Sequence, residues 1–374
     1  MESDRKKILV VDDSALMRRV LGDIINSDKR FQVTAKAADG MEAFDLLTRE
    51  SFDAVVLDVN MPRMNGLELL AELRKFRIPA RVMIASTDSA EGAKVTLDAL
   101  ELGALDFIQK PTSSFGCRDE DFTQRFLGIL DAVCYGKLPA YDKPPVPVPV
   151  KEKKTEQRLA ARPGREPGQT PFPAGGHVRK IVAIASSTGG PKALQSVIPY
   201  LPKDLDAPVL IVQHMPKGFT ASFAERLNVN SQIAVKEAQD GEPLAKGVVY
   251  VAMGGRHMNV KQGIGGALTI RYSDEPSREG VRPSANYMYE SLIDAGNLDI
   301  TCVVMTGMGS DGKEGIENLK KRKSAYVITQ NRESCVVYGM PKSVDVAGLS
   351  DRSLPLEELA KAVTERVGVR GAGK

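Results

Sequence analysis

The stretch ILVVDDSALMRRVLGDII, residues 8–25, decides the predicted fold of the first part of the chain. Its apolar run ILVV predicts a short buried strand, which ends directly in Asp12 and Asp13. Beyond these aspartates, apolar residues recur at every third or fourth position, as on the buried side of an amphipathic helix. A buried strand that leads directly into a helix is typical of a parallel α/β sheet. The stretch therefore predicts a doubly wound sheet with helices on both faces.

The same alternation runs on to residue 136 and starts again after residue 178. Further strands of the first part are predicted at QVTAKA (32–37), AVVL (54–57), RVMIA (81–85) and DFIQ (106–109). Strands of the second part are predicted at IVAIA (181–185), VLIV (209–212), VVYV (248–251), CVVM (302–305) and YVIT (326–329). In residues 232–272, short apolar runs alternate with many glycines, which indicates an antiparallel excursion. We predict two α/β domains, residues 1–136 and 179–370.

Residues 137–178 separate the two predicted domains. They hold nine of the 22 prolines, and eight Lys and Arg against four Asp and Glu. Such a composition cannot bury a core and predicts a semi-rigid linker. Because the whole chain has a net charge of only +3, its positive surplus lies in this linker. We therefore expect no nucleic-acid partner.

The composition of the 374-residue chain, with 42% hydrophobic and 26% charged residues, is that of an ordinary globular protein. No apolar run approaches the roughly 20 residues of a membrane-spanning helix, and the charged start MESDRKK is unlike a signal peptide. The cysteines show no C-x-x-C spacing, which argues against a disulfide framework or a zinc site; they are Cys117, Cys134, Cys302 and Cys335. We expect a cytoplasmic protein that does not insert into a membrane.

Carboxylates follow two of the predicted strands of the first domain. Asp12 and Asp13 follow the first strand, and Asp58 ends the third. Because parallel strands end on the same sheet edge, we expect the three side chains to lie together and to favour a hard cation such as Mg²⁺. Capping of the next helix would explain Asp12 or Asp13 alone, but it does not explain Asp58.

Two further side chains fit phosphoryl transfer to Asp58. Lys110 follows the fifth predicted strand and would place a cation beside the transferred group. Ser86 or Thr87, near the end of the fourth strand, would donate a hydroxyl to one of its oxygens. The pattern predicts Asp58 as the nucleophilic carboxylate.

In the second domain, Ser187 lies in the turn S-S-T-G-G-P between a predicted strand and a predicted helix. Free backbone N–H groups at such a turn favour a developing negative charge. From this motif alone, three roles stay open: a helix N-cap, part of a phosphate cradle, or a nucleophile. The neighbouring Ser186 competes for the last role. The glycines that follow would let a substrate approach the backbone.

A serine nucleophile needs a base, and this domain holds two histidines. His214 follows the strand VLIVQ and should lie on the same sheet edge as Ser187, whereas His257 lies in the Gly-rich middle region. Asp311 follows another buried strand, so it could orient the base, although capping a helix would explain it alone. Ser187, His214 and Asp311 together favour a hydrolytic triad.

The motifs VVDDSALMRR, LDVNMPRMNG and GALDFIQKP resemble the response-regulator receiver family over about residues 6–130. The resemblance implies a flavodoxin-like fold with a five-stranded parallel sheet. It also implies phosphorylation of Asp58 by a histidine kinase, with Mg²⁺ held by Asp12, Asp13, Asp58 and the backbone carbonyl of Asn60. The family has a hydroxyl residue directly after the fourth strand; Ala85 can occupy that register here, so we assign the role to Ser86.

The motifs SSTGGPKAL, QHMPKGFTASFAERLN, PSANYMYESL, VVMTGMGSDGKEG and SCVVYGMP resemble the chemotaxis protein-glutamate methylesterase family. The resemblance implies a triad of Ser187, His214 and Asp311, with backbone N–H groups near Thr188 and Met308 as the oxyanion hole. Two departures from the family pattern are Ala185 and Ser186 before the nucleophile, where Gly-Ala is usual, and Arg332, where an acidic residue is common.

These resemblances imply an enzyme that hydrolyses glutamyl methyl esters, and deamidates glutamines, on methyl-accepting chemotaxis receptors. Phosphorylation of the receiver would relieve its obstruction of the active site. We expect Mg²⁺ for the receiver, no cofactor for the esterase step, and a monomer. Two alternatives stay open: a receiver-regulated esterase or amidase that acts on a non-chemotaxis protein, and a non-enzymatic response regulator that binds a nucleotide or a partner.

Overall fold

A computed structural model describes residues 5–86, 90–111, 119–136 and 178–371. The first part alternates five strands and five helices: β1 (Lys6–Val11), α1 (Ala15–Ser27), β2 (Phe31–Ala37), α2 (Gly40–Arg49), β3 (Ala54–Asp58), α3 (Gly66–Lys75), β4 (Val82–Ser86), α4 (Ala90–Leu102), β5 (Asp106–Gln109) and α5 (Glu120–Tyr135). The strands form one parallel sheet in the order β2-β1-β3-β4-β5. This confirms the predicted five-stranded parallel domain.

The second part contains nine strands and six helices among its described residues: β6 (Lys180–Ser186), α6 (Gly190–Val197), β7 (Val209–Gln213), α7 (Phe219–Asn230), β8 (Ala234–Glu237), β9 (Val248–Val251), β10 (His257–Gln262), β11 (Leu268–Ser273), α8 (Ala285–Ser291), β12 (Asp299–Val304), α9 (Lys313–Arg322), β13 (Ala325–Gln330), α10 (Met340–Val346), β14 (Arg352–Leu354) and α11 (Leu356–Val367). Seven strands form a parallel sheet in the order β14-β13-β12-β6-β7-β9-β8. The doubly wound α/β fold class is thereby confirmed.

The antiparallel excursion is smaller than the sequence predicts. Among the described strands, β10 and β11 alone pair in antiparallel register, with an isolated antiparallel bridge from Pro243 to Thr269 in the same region, while β8 and β9 join the parallel sheet. β9 is an uninterrupted apolar run, VVYV, with all four residues buried, as in a strand that is covered on both faces. The predicted linker lies outside the described residues, except for Val178, and the domain boundaries stay predictions.

The two parts share a hydrophobic cluster that continues from one into the other. At its centre, the rings of Phe107 in β5 and Phe219 in α7 stack with centroids 4.8 Å apart. Beside them, Arg226 of α7 binds Asp98 and Glu101 of α4. The carboxyl edge of β6 and β7 therefore faces the first domain. Among the described residues, no helix is long and apolar enough to cross a membrane.

Candidate active site and receiver site

The turn after β6 places Ser187 at the carboxyl edge of the larger sheet. The Ser187 backbone N–H donates to the Thr306 carbonyl at 3.0 Å, and its carbonyl accepts from Gly190 N at 2.7 Å. The N-cap of α6 is Gly189, not Ser187, so the N-cap role considered for this serine is wrong. The Ser187 side chain is instead half-buried and lines a cleft.

The two glycines after this turn are needed for a different reason than the sequence suggested. Gly189 has φ +75°, and a Cβ there would lie 2.6 Å from the Val336 side chain. A Cβ on Gly190 would overlap the Gln213 side-chain oxygen. The space beside these glycines is therefore filled by the protein's own side chains, not by an approaching substrate.

Ser186 and Ser187 have different surroundings. Ser186 is fully buried, and its hydroxyl donates to the Gln213 Oε1 atom at 2.7 Å. The Gln213 Nε2 group in turn donates to the Ser187 carbonyl at 3.0 Å. Ser186 thus fixes the turn from behind, whereas Ser187 faces the cleft.

His214 lies directly after β7 and also lines the cleft. Its Nε2 atom lies 2.8 Å from Asp311 Oδ2, and only 10% of its side chain is exposed. Because a carboxylate only accepts hydrogen bonds, Nε2 carries the proton and donates it to Asp311. The unprotonated Nδ1 atom is then the one left to act as a base.

Asp311 accepts three further hydrogen bonds besides that of His214. Ser284 Oγ and the Asn286 backbone N–H donate to Oδ1, at 2.6 and 3.1 Å, and the Ala285 N–H donates to Oδ2 at 2.6 Å. Burial would raise the pKa of Asp311, but the hydrogen bonds and the His214 ring outweigh it and hold that pKa below its usual value. Asp311 is therefore a carboxylate that fixes the His214 ring.

Asp311 binds the start of a helix, but not of the helix that follows it. The N-cap of α9 is Gly312. The two backbone donors of Asp311, Ala285 and Asn286, belong to the first turn of α8. Asp311 thus accepts the first N–H groups of α8, whose own N-cap residue is Ser284, and the N-cap role considered from the sequence is wrong.

His257, the other histidine considered as a base, is linked to Asp311 through Ser284. It is fully buried, accepts from the Ser284 backbone N–H through Nδ1 at 3.1 Å, and faces the Pro276 carbonyl with Nε2 at 3.2 Å. Both ring nitrogens are therefore engaged by the protein, and neither faces Ser187.

The two residues expected to form the oxyanion hole, Thr188 and Met308, line the same cleft as Ser187. Neither of their N–H groups has a backbone carbonyl partner among the described residues. Free N–H donors beside a serine are suited to stabilise an oxyanion.

The cleft, about 510 Å³ in volume, lies between the two domains. From the first domain, its lining includes Asp106 and Phe107 of β5 and Arg125 of α5. Asp106 lines the cleft together with Thr188 and His214. Burial raises its pKa to about 6, although the Thr188 hydroxyl, the Phe107 N–H and His214 oppose that rise. A carboxylate of the first domain thus lies beside the Ser187 turn.

The predicted acidic site of the first domain is assembled at the sheet edge. Ligand oxygens of Asp12, Asp13 and Asp58 lie within 4.8 Å of one another. Lys110 Nζ binds Asp12 at 2.7 Å and Asp58 at 3.0 Å. Burial raises the pKa of Asp58, Asp12 adds to that rise, and Lys110 opposes it. Ser14 is the N-cap of α1, so neither Asp12 nor Asp13 has that role.

Ser86 and Asn60 are the other described residues that the sequence predicts for this site. Ser86 is the last residue of β4, and its hydroxyl accepts from Thr96 Oγ1 at 2.7 Å. The expectation that Ala85 stands directly after the fourth strand is wrong, because Ala85 lies within β4 and pairs there with Asp58. Asn60 is exposed, two residues after Asp58. Thr87 lies outside the described residues.

Comparisons with known proteins identify the family of the chain. Residues 182–363 match the CheB methylesterase family, and residues 8–115 match the response regulator receiver domain family. A protein-glutamate methylesterase/protein-glutamine glutaminase of Geobacillus kaustophilus is 39% identical over 97% of this chain and 99% of its own length. The chain belongs to the CheB methylesterase family. Both resemblances inferred from the sequence are thereby confirmed.

Further relatives bear the same name as that of G. kaustophilus. The Bacillus subtilis protein is 40% identical over 96% of this chain and 98% of its own length. The crystal structure of the Thermotoga maritima CheB methylesterase catalytic domain is 40% identical, with a TM-score of 0.48, and covers 50% of this chain and 98% of that chain. The family matches and the named relatives show that this CheB family member is a hydrolase with an N-terminal receiver domain.

Membership of the receiver family implies a Mg²⁺ site at the acidic cluster. The cluster fits this ion, because Asp12, Asp13 and Asp58 offer closely spaced oxygen ligands, which Mg²⁺ prefers. Lys110 can compensate the remaining charge.

Sequence reasoning missed several residues that shape the candidate active site of this CheB family member. Ser284 and Asn286 stand in the motif PSANYMYESL, which carried the resemblance but suggested no role for either residue. Gln213 precedes His214 in the motif QHM, and Asp106 belongs to the receiver. The motifs could have indicated the first three, whereas nothing near Ser187, His214 or Asp311 in the sequence points to Asp106.

Proposed function

We propose that the chain hydrolyses glutamyl methyl esters, and deamidates glutamines, on methyl-accepting chemotaxis receptors, with Ser187, His214 and Asp311 as its triad. The observation that carries the proposal is the hydrogen bond of 2.8 Å from His214 Nε2 to the buried Asp311, on the cleft that Ser187 lines. The names of the relatives supply the substrate class.

In the first half of the reaction, His214 Nδ1 takes the proton of Ser187 as Oγ attacks the ester carbonyl carbon. Asp311 holds the ring and stabilises the imidazolium that forms. The backbone N–H groups of Thr188 and Met308 donate to the oxyanion, each worth roughly 3–4 kcal/mol of transition-state stabilisation.

In the second half, the C–O bond to the methoxy group breaks, and His214 gives its proton to the departing methanol. Water then attacks the acyl-enzyme with His214 as base, which releases the glutamate carboxylate and restores Ser187. With a glutamine side chain, ammonia leaves in place of methanol. The esterase step, as proposed, needs no cofactor.

We also propose that a histidine kinase phosphorylates Asp58 and that this controls the esterase. An oxygen of Asp58 forms the bond to phosphorus as the kinase histidine nitrogen leaves, and Lys110 and Ser86 contact the phosphoryl oxygens. Asp12, Asp13, Asp58 and the Asn60 carbonyl would hold Mg²⁺, which would neutralise charge on the phosphoryl group. Lys110 directly follows β5, the strand that begins at Asp106. This short link supports coupling between the phosphorylation site and the cleft.

The contact between the domains supports control by obstruction. The receiver side of the cleft brings β5 and α5 against the Ser187 turn, and a Cβ on Gly128 of α5 would lie 3.1 Å from the Met308 side chain. A receptor helix could not enter while this face is covered. Release of the receiver would open it, so phosphorylation should raise activity.

A serine-reactive ester probe tests the assignment of the nucleophile. With phosphodonor present, we expect one covalent adduct, located by peptide mass spectrometry on Ser187, and no adduct in Ser187→Ala. The matched variant Ser186→Ala should still be labelled. An adduct on any other residue of the second domain would contradict the proposal.

The alternative of a non-enzymatic regulator is set aside, because the chain belongs to an enzyme family. An esterase that acts on a non-chemotaxis protein is distinguished by methanol release from methylated receptors, which such an enzyme would not produce. The monomeric state, the cytoplasmic location and the absence of a nucleic-acid partner stay predictions.

A further inference from the structure

His257 is a fully buried histidine for which the proposed reaction has no step. Its ring is held at both nitrogens, by the Ser284 backbone N–H at 3.1 Å and the Pro276 carbonyl at 3.2 Å. It also packs against the Tyr287 ring, with centroids 4.4 Å apart. A buried imidazole with this many constraints has one orientation.

The partners of His257 also determine its protonation. Because the Ser284 backbone N–H must donate, His257 Nδ1 is an acceptor and carries no proton. Nε2 then carries the proton and donates it to the Pro276 carbonyl. His257 is therefore neutral, and its burial lowers its pKa, which agrees with this state.

Ser284 connects His257 to the proposed triad. It is the N-cap residue of α8, yet its side chain does not cap that helix. Its hydroxyl donates instead to Asp311 Oδ1 at 2.6 Å, and Asp311 accepts the N–H groups of Ala285 and Asn286 that open α8. The position of the Ser284 backbone therefore determines where its hydroxyl meets Asp311.

We infer that His257 is a positioning residue for the esterase reaction, acting through Ser284 on Asp311. By accepting the Ser284 N–H, His257 fixes the start of α8, and Ser284 and the first turn of α8 then aim Asp311 Oδ2 at His214. The inference rests on the proposed triad. Loss of the Nδ1 acceptor would leave the Ser284 N–H buried without a partner and would let Asp311 shift.

Two substitutions separate the two ring contacts of His257. In His257→Asn, the side-chain oxygen takes the place of Nδ1 and still accepts the Ser284 N–H. In His257→Gln, the side-chain NH₂ takes the place of Nε2 and still donates to Pro276, but the acceptor is lost. The full chain is assayed with phosphodonor for methanol release from methylated receptors.

We expect His257→Gln to lower kcat about 10- to 100-fold, because small displacements in a catalytic constellation have costs of this size. KM should change less than about twofold, since Asp311 does not bind substrate. His257→Asn should retain kcat within about threefold of the parent. An equal loss of kcat in both variants, or a change confined to KM, would overturn the inference.

Ser284→Ala provides a second test that does not disturb the buried ring. It removes the hydroxyl that donates to Asp311 and should lower kcat to a similar degree, with a similar thermal unfolding midpoint. Adding His257→Gln to Ser284→Ala should lower kcat little further, because both act on Asp311. With each kcat expressed per folded enzyme, as measured by circular dichroism, fully additive losses would overturn the proposed connection.

Ser187→Ala, assayed in parallel, distinguishes an error in the proposed triad from an error in the role of His257. If Ser187→Ala keeps its activity, the triad itself is wrong. If Ser187→Ala is inactive while His257→Gln and Ser284→Ala both retain kcat, only the positioning role of His257 is wrong.

Discussion

Arg226 offers the sharpest test of whether the docked receiver restrains the esterase. This arginine of α7 donates to Glu101 through Nε and Nη2, at 2.6 and 2.7 Å, and to Asp98 through Nη2 at 2.7 Å. Both carboxylates belong to α4 of the receiver. Arg226→Ala removes this network without touching any residue of the cleft.

The docking free energy lost in Arg226→Ala can be estimated from how exposed the three side chains of this network are. The side chains are 19–29% exposed, between a surface pair and a buried one. Exposed ion pairs contribute about 0–1 kcal/mol, and hydrogen bonds to charged groups about 1.5–3 kcal/mol. We expect the loss of an intermediate docking free energy, about 1–2 kcal/mol. This loss raises the ratio of undocked to docked enzyme about 5- to 30-fold.

The assay is methanol release by unphosphorylated enzyme. Arg226→Ala should release methanol about 5- to 30-fold faster than the parent, up to the rate that phosphodonor produces. Arg366→Ala, which removes a two-bond pair with Asp299 inside the second domain, is the matched control and should leave the rate unchanged. A parental rate in Arg226→Ala would refute the claim that this contact restrains the enzyme.

Three further predictions concern the receiver. Burial raises the pKa of Asp106 to about 6, so between about pH 4 and 6 docking takes up a proton that a free receiver, with a carboxyl pKa of about 4, has released. Docking should therefore weaken as pH rises from about 4 to 6, seen as expansion by small-angle scattering, and Asp106→Asn should abolish that dependence. EDTA should remove stimulation by phosphodonor but not the basal rate of methanol release; a basal rate that falls would place a metal in the esterase step. Asp58→Ala should not respond to phosphodonor in the same assay, and a persistent response would exclude Asp58 as the phosphorylated residue.

Much of the fold was predictable because its strands are short apolar runs that end in polar residues. The run VVYV illustrates the limit of such reasoning. Its pattern indicates a strand buried on both faces, but its neighbours in the Gly-rich region suggested an antiparallel arrangement, and only the final packing places it beside β7. Strand pairing depends on residues far apart in the sequence, which a local pattern does not record.

The candidate site was also predictable only in part. Ser187, His214 and Asp311 each follow a strand of one sheet, so topology alone favours their convergence. The hydroxyl that orients Asp311 comes from Ser284, 27 residues upstream, and no spacing rule connects the two. The contact of Asp106 with the Ser187 turn depends on how two domains pack, which neither domain's own pattern contains.

The most direct test of the central claim compares Ser187→Ala with Ser186→Ala in methanol release from methylated receptors, both as full chains with phosphodonor. We predict that Ser187→Ala loses about 10³-fold or more of kcat, as expected for a nucleophile. Ser186→Ala, which alters only a buried contact to Gln213, should lose less than about tenfold. A Ser187→Ala enzyme that keeps more than about a tenth of the parental kcat would contradict the serine mechanism.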